Sequence, residues 1–450
     1  MGLPRTDAPA SLRPRRRSPY DREIARLAIP AFGALIAEPV YILTDTAIVG
    51  HLGTPQLGGM AVATSILLTL YAVFIFLAYG TTAAVSRLLG AGDRREATHQ
   101  AVQSLWLAML VGAALVVLGL AGAGTLVDLM GAEGAVRSNA LLYLRISLPG
   151  VPALLLVLAG TGYVRGLQDT RTPLLVAVAT GALNLVLEVA FIYGLGMGLG
   201  ASAATTVVAQ WAAAGVYLRI VGREARSHGL GLAPHPASLR RLGAVGRDLL
   251  VRTAALRASL VVATSVAARL GPVDLAAHQV AFEVWSFLAF GLDAIAIAGQ
   301  ALVGRALGAG DGAMARGAGR RMIELGVAAG IVVGAAVAVA RNALPHVFTD
   351  DPAVAGLAAF VLVWVAVLQP VNAVAFVLDG ILIGAGDMRF LAGAMAVSAA
   401  IFLPAAVAVA ALGAGIGWLW ASLALFMASR AGILLARFAG DRWLVLGAVR

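Results

Sequence analysis

The sequence has no cysteine and no lysine, and only 12% of its 450 residues are charged. The first absence excludes disulfides, thiolate metal sites and cysteine nucleophiles. The second removes any lysine-bearing phosphate loop, and no His-Glu-x-x-His or Gly-x-Ser-x-Gly pattern appears either. Clustered Asp-x-x-x-Asp motifs of an intramembrane transferase are also missing. The chain therefore reads as a non-enzyme that needs no cofactor and no structural metal. The scarcity of charge has a physical counterpart, since soluble domains carry about 25% charged residues. Here hydrophobic residues reach 60% and mean hydropathy is +0.90.

Apolar runs recur along the whole length, each long enough to cross a hydrocarbon core of about 30 Å as a helix. They predict an all-α polytopic membrane protein with about twelve spans. The first run, 27–51, follows the basic leader "RPRRRSPYDREIARLAIPAFG". It is too long for a signal-peptide core, contains two acids and lacks a small-residue cleavage site, so it reads as a membrane span.

All the basic residues are arginine. Most fall in the termini and in alternate loops. The exceptions are Arg137, Arg145, Arg269 and Arg341 on the opposite side, and Arg252 and Arg257 inside the seventh span, where either snorkelling to the headgroups or pairing with an acid is expected, the first being favoured. The bias places both termini in the cytoplasm of a cell-membrane protein. The net charge of +10 is thus topology and implies no nucleic-acid partner, although the loop with Arg240 and Arg241 can meet lipid headgroups.

An internal repeat is visible. "VSRLLGAGD" ending at Asp93 matches "VGRALGAGD" ending at Asp311, and the same shift of 218 carries Pro152 onto Pro370, Gly166 onto Gly384 and Asp169 onto Asp387. Each half holds an even number of spans, so the halves are parallel and related by a pseudo-two-fold axis along the membrane normal. The expected organisation is a cytoplasmic tail (1–22), an N-lobe of six helices (23–221), a cytoplasmic linker (222–246), a C-lobe of six helices (247–438) and a second cytoplasmic tail (439–450).

Acids inside the spans carry the functional signal, because an ionised Asp at the bilayer centre costs roughly 2.5–3.5 kcal/mol on insertion scales. Glu38, Tyr41 and Asp45 recur at a helical spacing in "EPVYILTD", Asn184 and Glu188 are four apart, and the sixth span adds Thr205, Thr206 and Gln210. The repeat shift maps Asp45, Asn184 and Glu188 onto Ala263, Phe402 and Ala406. The polar set therefore exists in one half only, which points to function rather than scaffold. The second half has its own stripe of Gln279, Glu283, Asp293 and Gln300, with Asp379 on the tenth span. These residues divide evenly between a substrate cavity and interhelical hydrogen bonding. His278 reads as a hydrogen-bonded residue. "GLGMGLG", which imitates a dinucleotide fingerprint, reads as a tight turn between spans.

Several stretches together resemble the multidrug and toxic compound extrusion (MATE) family, in its DinF-like branch. They are "AIPAFGALIAEPVYILTDTAIVGHLGTPQLGG", "YVRGLQDTRTPLL", "AFEVWSFLAFGLDAIAIAGQALVGRALGAGD" and "FVLDGILIGAGDMRFL". The resemblance covers nearly all of the chain after residue 22. It implies two six-helix lobes around a V-shaped cavity, working as a monomer. It implies export of small organic compounds, cationic or amphipathic, in exchange for protons or sodium. The coupling site it implies is Asp45, Asn184, Glu188 and Thr206, which would also be the sodium ligands. Tyr143 matches a family tyrosine, and Pro30 is the implied hinge. Glu38, Tyr41, Tyr143, Thr161, Gln210, Glu283, Asp293 and Asp379 are the substrate-cavity candidates. Two positions depart from the family pattern: Glu188 replaces an aspartate and Thr161 an asparagine, which weakens the sodium reading. The alternatives are a sodium-coupled exporter and a flippase for lipid-linked precursors. The flippase would need a cationic cavity, and by this reading only Arg252 and Arg257 lie near the lobe interiors.

Overall fold

The structure is a computed structural model that describes residues 18–448; of the predicted tails, residues 1–17 and 449–450 lie outside it. The described residues form twelve helices long and apolar enough to cross a membrane. In chain order they are α1 (Pro19–Gly50), α2 (Thr54–Gly90), α3 (Arg94–Leu129), α4 (Gly134–Gly166), α5 (Arg171–Gly194) and α6 (Leu199–Ser227) in the first half. The second half has α7 (Pro236–Leu270), α8 (Pro272–Gly308), α9 (Gly312–Ala340), α10 (Pro352–Gly384), α11 (Met388–Leu412) and α12 (Ile416–Ala439).

Helix ends follow local chemistry. Ser18 and Asp21 close a capping box at the start of α1. Asp93 and Asp311, repeat mates, cap α3 and α9 in the same way, each accepting at 2.8 Å from a backbone N–H three residues on. Prolines occupy the first turns of α1, α2, α7, α8 and α10, where a missing donor costs nothing. Several helices run past the apolar runs. α1 begins at Pro19 and α7 at Pro236, because apolar content marks only the membrane crossing while helical turns continue beyond it. The connection between the halves is correspondingly short, and it is pinned to α3. Trp106 donates to Leu232 O at 2.6 Å and Gln103 to Ala233 O at 3.1 Å.

One hydrophobic core lies within the first half and another within the second. A third joins them, drawing Ile24, Leu27 and Ala83 together with Leu302, Leu307 and Leu378. The joining seam sits at the end of the bundle that carries both termini, and there it obeys the repeat. A Cβ on Gly90 would meet Arg305 O at 2.0 Å, and one on its mate Gly308 would meet Arg87 O at 1.9 Å. Only glycine lets the two backbones approach so closely.

After α12 the chain folds back under this seam. Trp443 is fully buried, stacks on Phe438 with ring centroids 5.0 Å apart and donates to Phe438 O at 3.0 Å. The Arg87 guanidinium donates to Ala385 O at 2.9 Å, Val445 O at 2.6 Å and Gly447 O at 2.8 Å. Gly447 N–H in turn donates to Leu307 O at 2.9 Å.

Away from the seam the halves diverge. One face of α8 carries Gln279, Glu283, Asp293, Ile297, Gln300, Gly304 and Gly308 by the helical period. Near the seam this face packs on the first half: Ile297 meets Ala31 of α1 and Gly304 meets Ser86 of α2. Farther out the same face is open. Gln300 is buried, Asp293 half-buried, and Glu283 and Gln279 exposed. The gradient traces a cleft between the halves, closed at the end with the termini and open at the other.

Candidate functional site

On α1, Ala31 and Leu35 face α8, and Glu38 follows on the same face two turns above Ala31. Glu38 is therefore directed into the cleft, exposed and within hydrogen-bond reach of Tyr71 on α2. Tyr41 and Asp45 turn away from it toward α6. The shared face read from the sequence is thus split between two environments, because the helical period fixes angles but not which neighbour fills them.

Asp45 is 4% exposed and accepts a hydrogen bond from Ser202 Oγ at 2.9 Å. Tyr41 and Thr206 bond through their hydroxyls at 2.8 Å. Asn184 and Glu188, each 1% exposed, come from the last turns of α5, and Asn184 Nδ2 donates to Glu188 Oε2 at 3.4 Å. Glu188 also lies within hydrogen-bond reach of Asp45 and Ser202, and buried Tyr143 of α4 reaches Ser202. Asp45, Asn184, Glu188, Tyr143, Tyr41 and Thr206 thus meet inside the first half. Ser202, which the sequence reading passed over, is the residue they share. Its signal was available, since it stands four before Thr206 and shares that face of α6.

Two carboxyl groups buried in one cluster repel each other unless a proton or a cation offsets their charge. Two oxygens of the cluster, Asn184 Oδ1 and Glu188 Oε1, are buried without a partner. Carboxylate and amide oxygens suit a hard cation, so this set fits a small monovalent ion as well as a proton. Among the described residues no group of three or more His, Cys, Asp or Glu is placed to hold a metal, and a site of two acids and an amide falls below that number.

Other candidates lie elsewhere. Thr161 donates to Tyr217 OH at 3.0 Å inside the α4–α6 packing, and Gln210 packs over Gly150. Pro30 and Pro39 both lie within an unbroken α1. His278 is fully buried, in hydrogen-bond contact with Thr264 at 3.3 Å and against Trp420. Glu283 is exposed in the cleft.

Asp379 corrects one expectation. It is an ion-pair partner of both Arg252 and Arg430, so Arg252 does not snorkel to the headgroups; a carboxylate on α10 holds it inside the bundle. Arg257 is exposed. Near this triad lie Asp293 and Tyr79 of α2, each within electrostatic range of Arg252, Arg430 and Arg165 of α4 at the base of the cleft. The interior is more cationic than the sequence reading had it: Arg165 and Arg430, there grouped with the arginines of the cytoplasmic end, are buried.

Comparison with known proteins agrees with this build. The MatE family model matches residues 30–190 and 251–408. Protein DETOXIFICATION 44, chloroplastic, of Arabidopsis thaliana is 33% identical over 91% of this chain and 80% of its own length. DNA damage-inducible protein F of Escherichia coli (strain K12) is 30% identical over 94% of this chain and 93% of its own. The solved structure of the Vibrio cholerae MATE transporter VcmN in its bent form superposes with a TM-score of 0.85 at 19% identity, over 94% of this chain and 97% of that one. Twelve membrane-length helices in two matched halves around a cleft are the architecture of a polytopic membrane transporter. The chain belongs to the MATE family, whose members are transporters of small organic compounds and not enzymes.

Proposed function

We propose that this chain is a secondary active antiporter of the cell membrane, with both termini cytoplasmic, that exports amphipathic organic compounds in exchange for protons. The observation that carries the reading is the burial of the Asp45 and Glu188 carboxyl groups in one apolar bundle, Asp45 held by Ser202 at 2.9 Å and Glu188 by Asn184 at 3.4 Å. Such a pair holds one exchangeable cation. In the cycle we infer, cargo occupies the cleft while the pair carries negative charge. A proton arriving from outside neutralises Asp45, the contacts to Ser202 and around Tyr41 rearrange, and α1 repacks about Pro30. The cargo leaves outward, the lobes rock, and the proton is released inside. One charge moving across 100 mV supplies about 2.3 kcal/mol, enough to sustain a gradient of roughly fifty-fold. Acids on the cleft walls, Glu38 and Glu283, favour cargo with a cationic part.

A sodium-coupled version has one observation in its favour, the two unpartnered oxygens Asn184 Oδ1 and Glu188 Oε1. Counterflow in proteoliposomes with an imposed proton or sodium gradient separates the two. Asp45→Asn is expected to abolish gradient-driven efflux of a fluorescent dye while leaving the protein folded. Retention of proton-driven efflux by this variant removes Asp45 from the coupling role.

A further inference from the structure

The base of the cleft holds charges that the coupling pair does not use. Arg165 from the first half is 9% exposed, and Arg252 and Arg430 from the second are 8% and 2% exposed. Two carboxylates face them. Asp379 is shared by Arg252 and Arg430, and Asp293 lies within electrostatic range of all three arginines. Even with both acids ionised, three guanidinium groups against two carboxylates leave one positive charge in the bundle interior without an ion-pair partner. Glu38 and Arg165 both act on Tyr71, but the two form no ion pair with each other among the described residues. Arg165 has no hydrogen bond or ion pair within contact distance among the described residues, and its Nε is buried without a partner, as are the Nε atoms of Arg252 and Arg430. An uncompensated buried charge is costly. Arginine's planar fork is suited to take a carboxylate from outside the protein. Asp293 and Tyr79, both half-buried, are the side chains through which the cluster meets the open cleft.

We infer that the base of the cleft is a binding site for a carboxylate group on the transported compound, held by Arg165 with Arg252 and Arg430 behind it. The inference rests on the reading of this chain as an exporter of organic compounds and narrows its substrate class: the cargo carries an acid as well as an apolar or cationic body. The excess of a single charge selects a carboxylate over a pyrophosphate, whose several negative charges would exceed what the cluster can neutralise. Asp293 competes with the incoming carboxylate for Arg165, which keeps binding reversible.

The test is equilibrium binding to the purified full chain in detergent, read by fluorescence polarisation. The probes are a xanthene dye with a free carboxylate and the methyl ester of the same dye. The wild type is expected to bind the acid at least about tenfold more tightly than the ester, as a charge-assisted pair implies. Arg165→Gln should make the two dyes bind alike, and Asp293→Asn should strengthen binding of the acid. Arg165→Lys, which keeps the charge, should preserve part of the preference, so the inference stays testable if the glutamine variant does not fold. Equal binding of both dyes by the wild type overturns the inference, as does a preference that survives Arg165→Gln. Displacement of the acid dye by inorganic pyrophosphate at lower concentration than by benzoate also overturns it, in favour of a polyanion site. If the acid is preferred in detergent but neither dye moves in proteoliposomes under any imposed gradient, the antiport reading falls and the carboxylate site stands.

Discussion

Gly308 is the position where one methyl group should change which way the molecule faces. A Cβ there would stand 1.9 Å from Arg87 O across the seam, well inside an ordinary contact of roughly 3.5–4.0 Å. The obstructing atoms are all backbone of Arg87 on α2, so no side chain can rotate to make room. Overpacking of this kind costs about 1–3 kcal/mol. The cost falls on the closed seam alone, because once the halves part at this end the new methyl has nothing to strike. The gain in helix propensity from glycine to alanine applies equally to both states and cancels. The equilibrium should therefore move toward the form open at the end with the termini by about 5-fold to 150-fold. Because the chain has no cysteine, Ser86→Cys at the buried seam gives a single reporter for a membrane-impermeant maleimide applied to that face. Labelling of Gly308→Ala should accelerate by that factor. Gly90→Ala, its repeat mate with a Cβ 2.0 Å from Arg305 O, should act in the same direction. Gly432→Ala, where a Cβ meets nothing within 4 Å, is the control and should leave labelling unchanged. Unaltered labelling in Gly308→Ala, with or without a lowered melting temperature, would refute the claim that the seam is the closed gate.

Other perturbations test other parts of the argument. Asp379→Asn strands two buried guanidiniums and should destabilise the second half by about 3–5 kcal/mol, read as a drop in the melting temperature of the purified protein. Replacing Asp379, Arg252 and Arg430 together with apolar residues should cost much less, because the charges leave as a set. Ser202→Ala removes the donor shared by the buried acids and should slow gradient-driven exchange more than it lowers melting temperature, while Ser202→Thr should retain exchange; equal losses in both variants would assign Ser202 to packing. Trp443→Ala empties a fully buried indole site, at about 3–5 kcal/mol for a core aromatic, and should raise maleimide labelling at Ser86→Cys.

The sequence made some features legible and hid others for definable reasons. The twelve spans were readable because hydropathy over about twenty residues is a one-dimensional signal. The duplication was readable because a fixed offset needs no geometry, and the seam shows its physical use: mated glycines on α2 and α8 meet mated backbones. The grouping of Asp45 with Asn184 and Glu188 rested on their absence from the second half and on the family resemblance. Ser202 stayed hidden because a serine in a membrane helix is unremarkable until its partner is known. The triad of Arg252, Asp379 and Arg430 was hidden because it joins three helices far apart in sequence, and no periodicity links a residue on α7 to one on α12. Arg165 was misassigned for a simpler reason: it stands one residue from the end of α4, where sequence alone does not separate the last helical turn from the loop that follows.

The segment that threads beneath the seam lies downstream of the twelve described helices, and it contacts both halves through Arg87 of α2 and Leu307 of α8. It therefore has no place to dock until α12 has entered the bilayer and both halves have assembled. Seating of Trp443 therefore comes late in assembly: a chain without α12 in place would leave this indole and the Arg87 guanidinium without their packing.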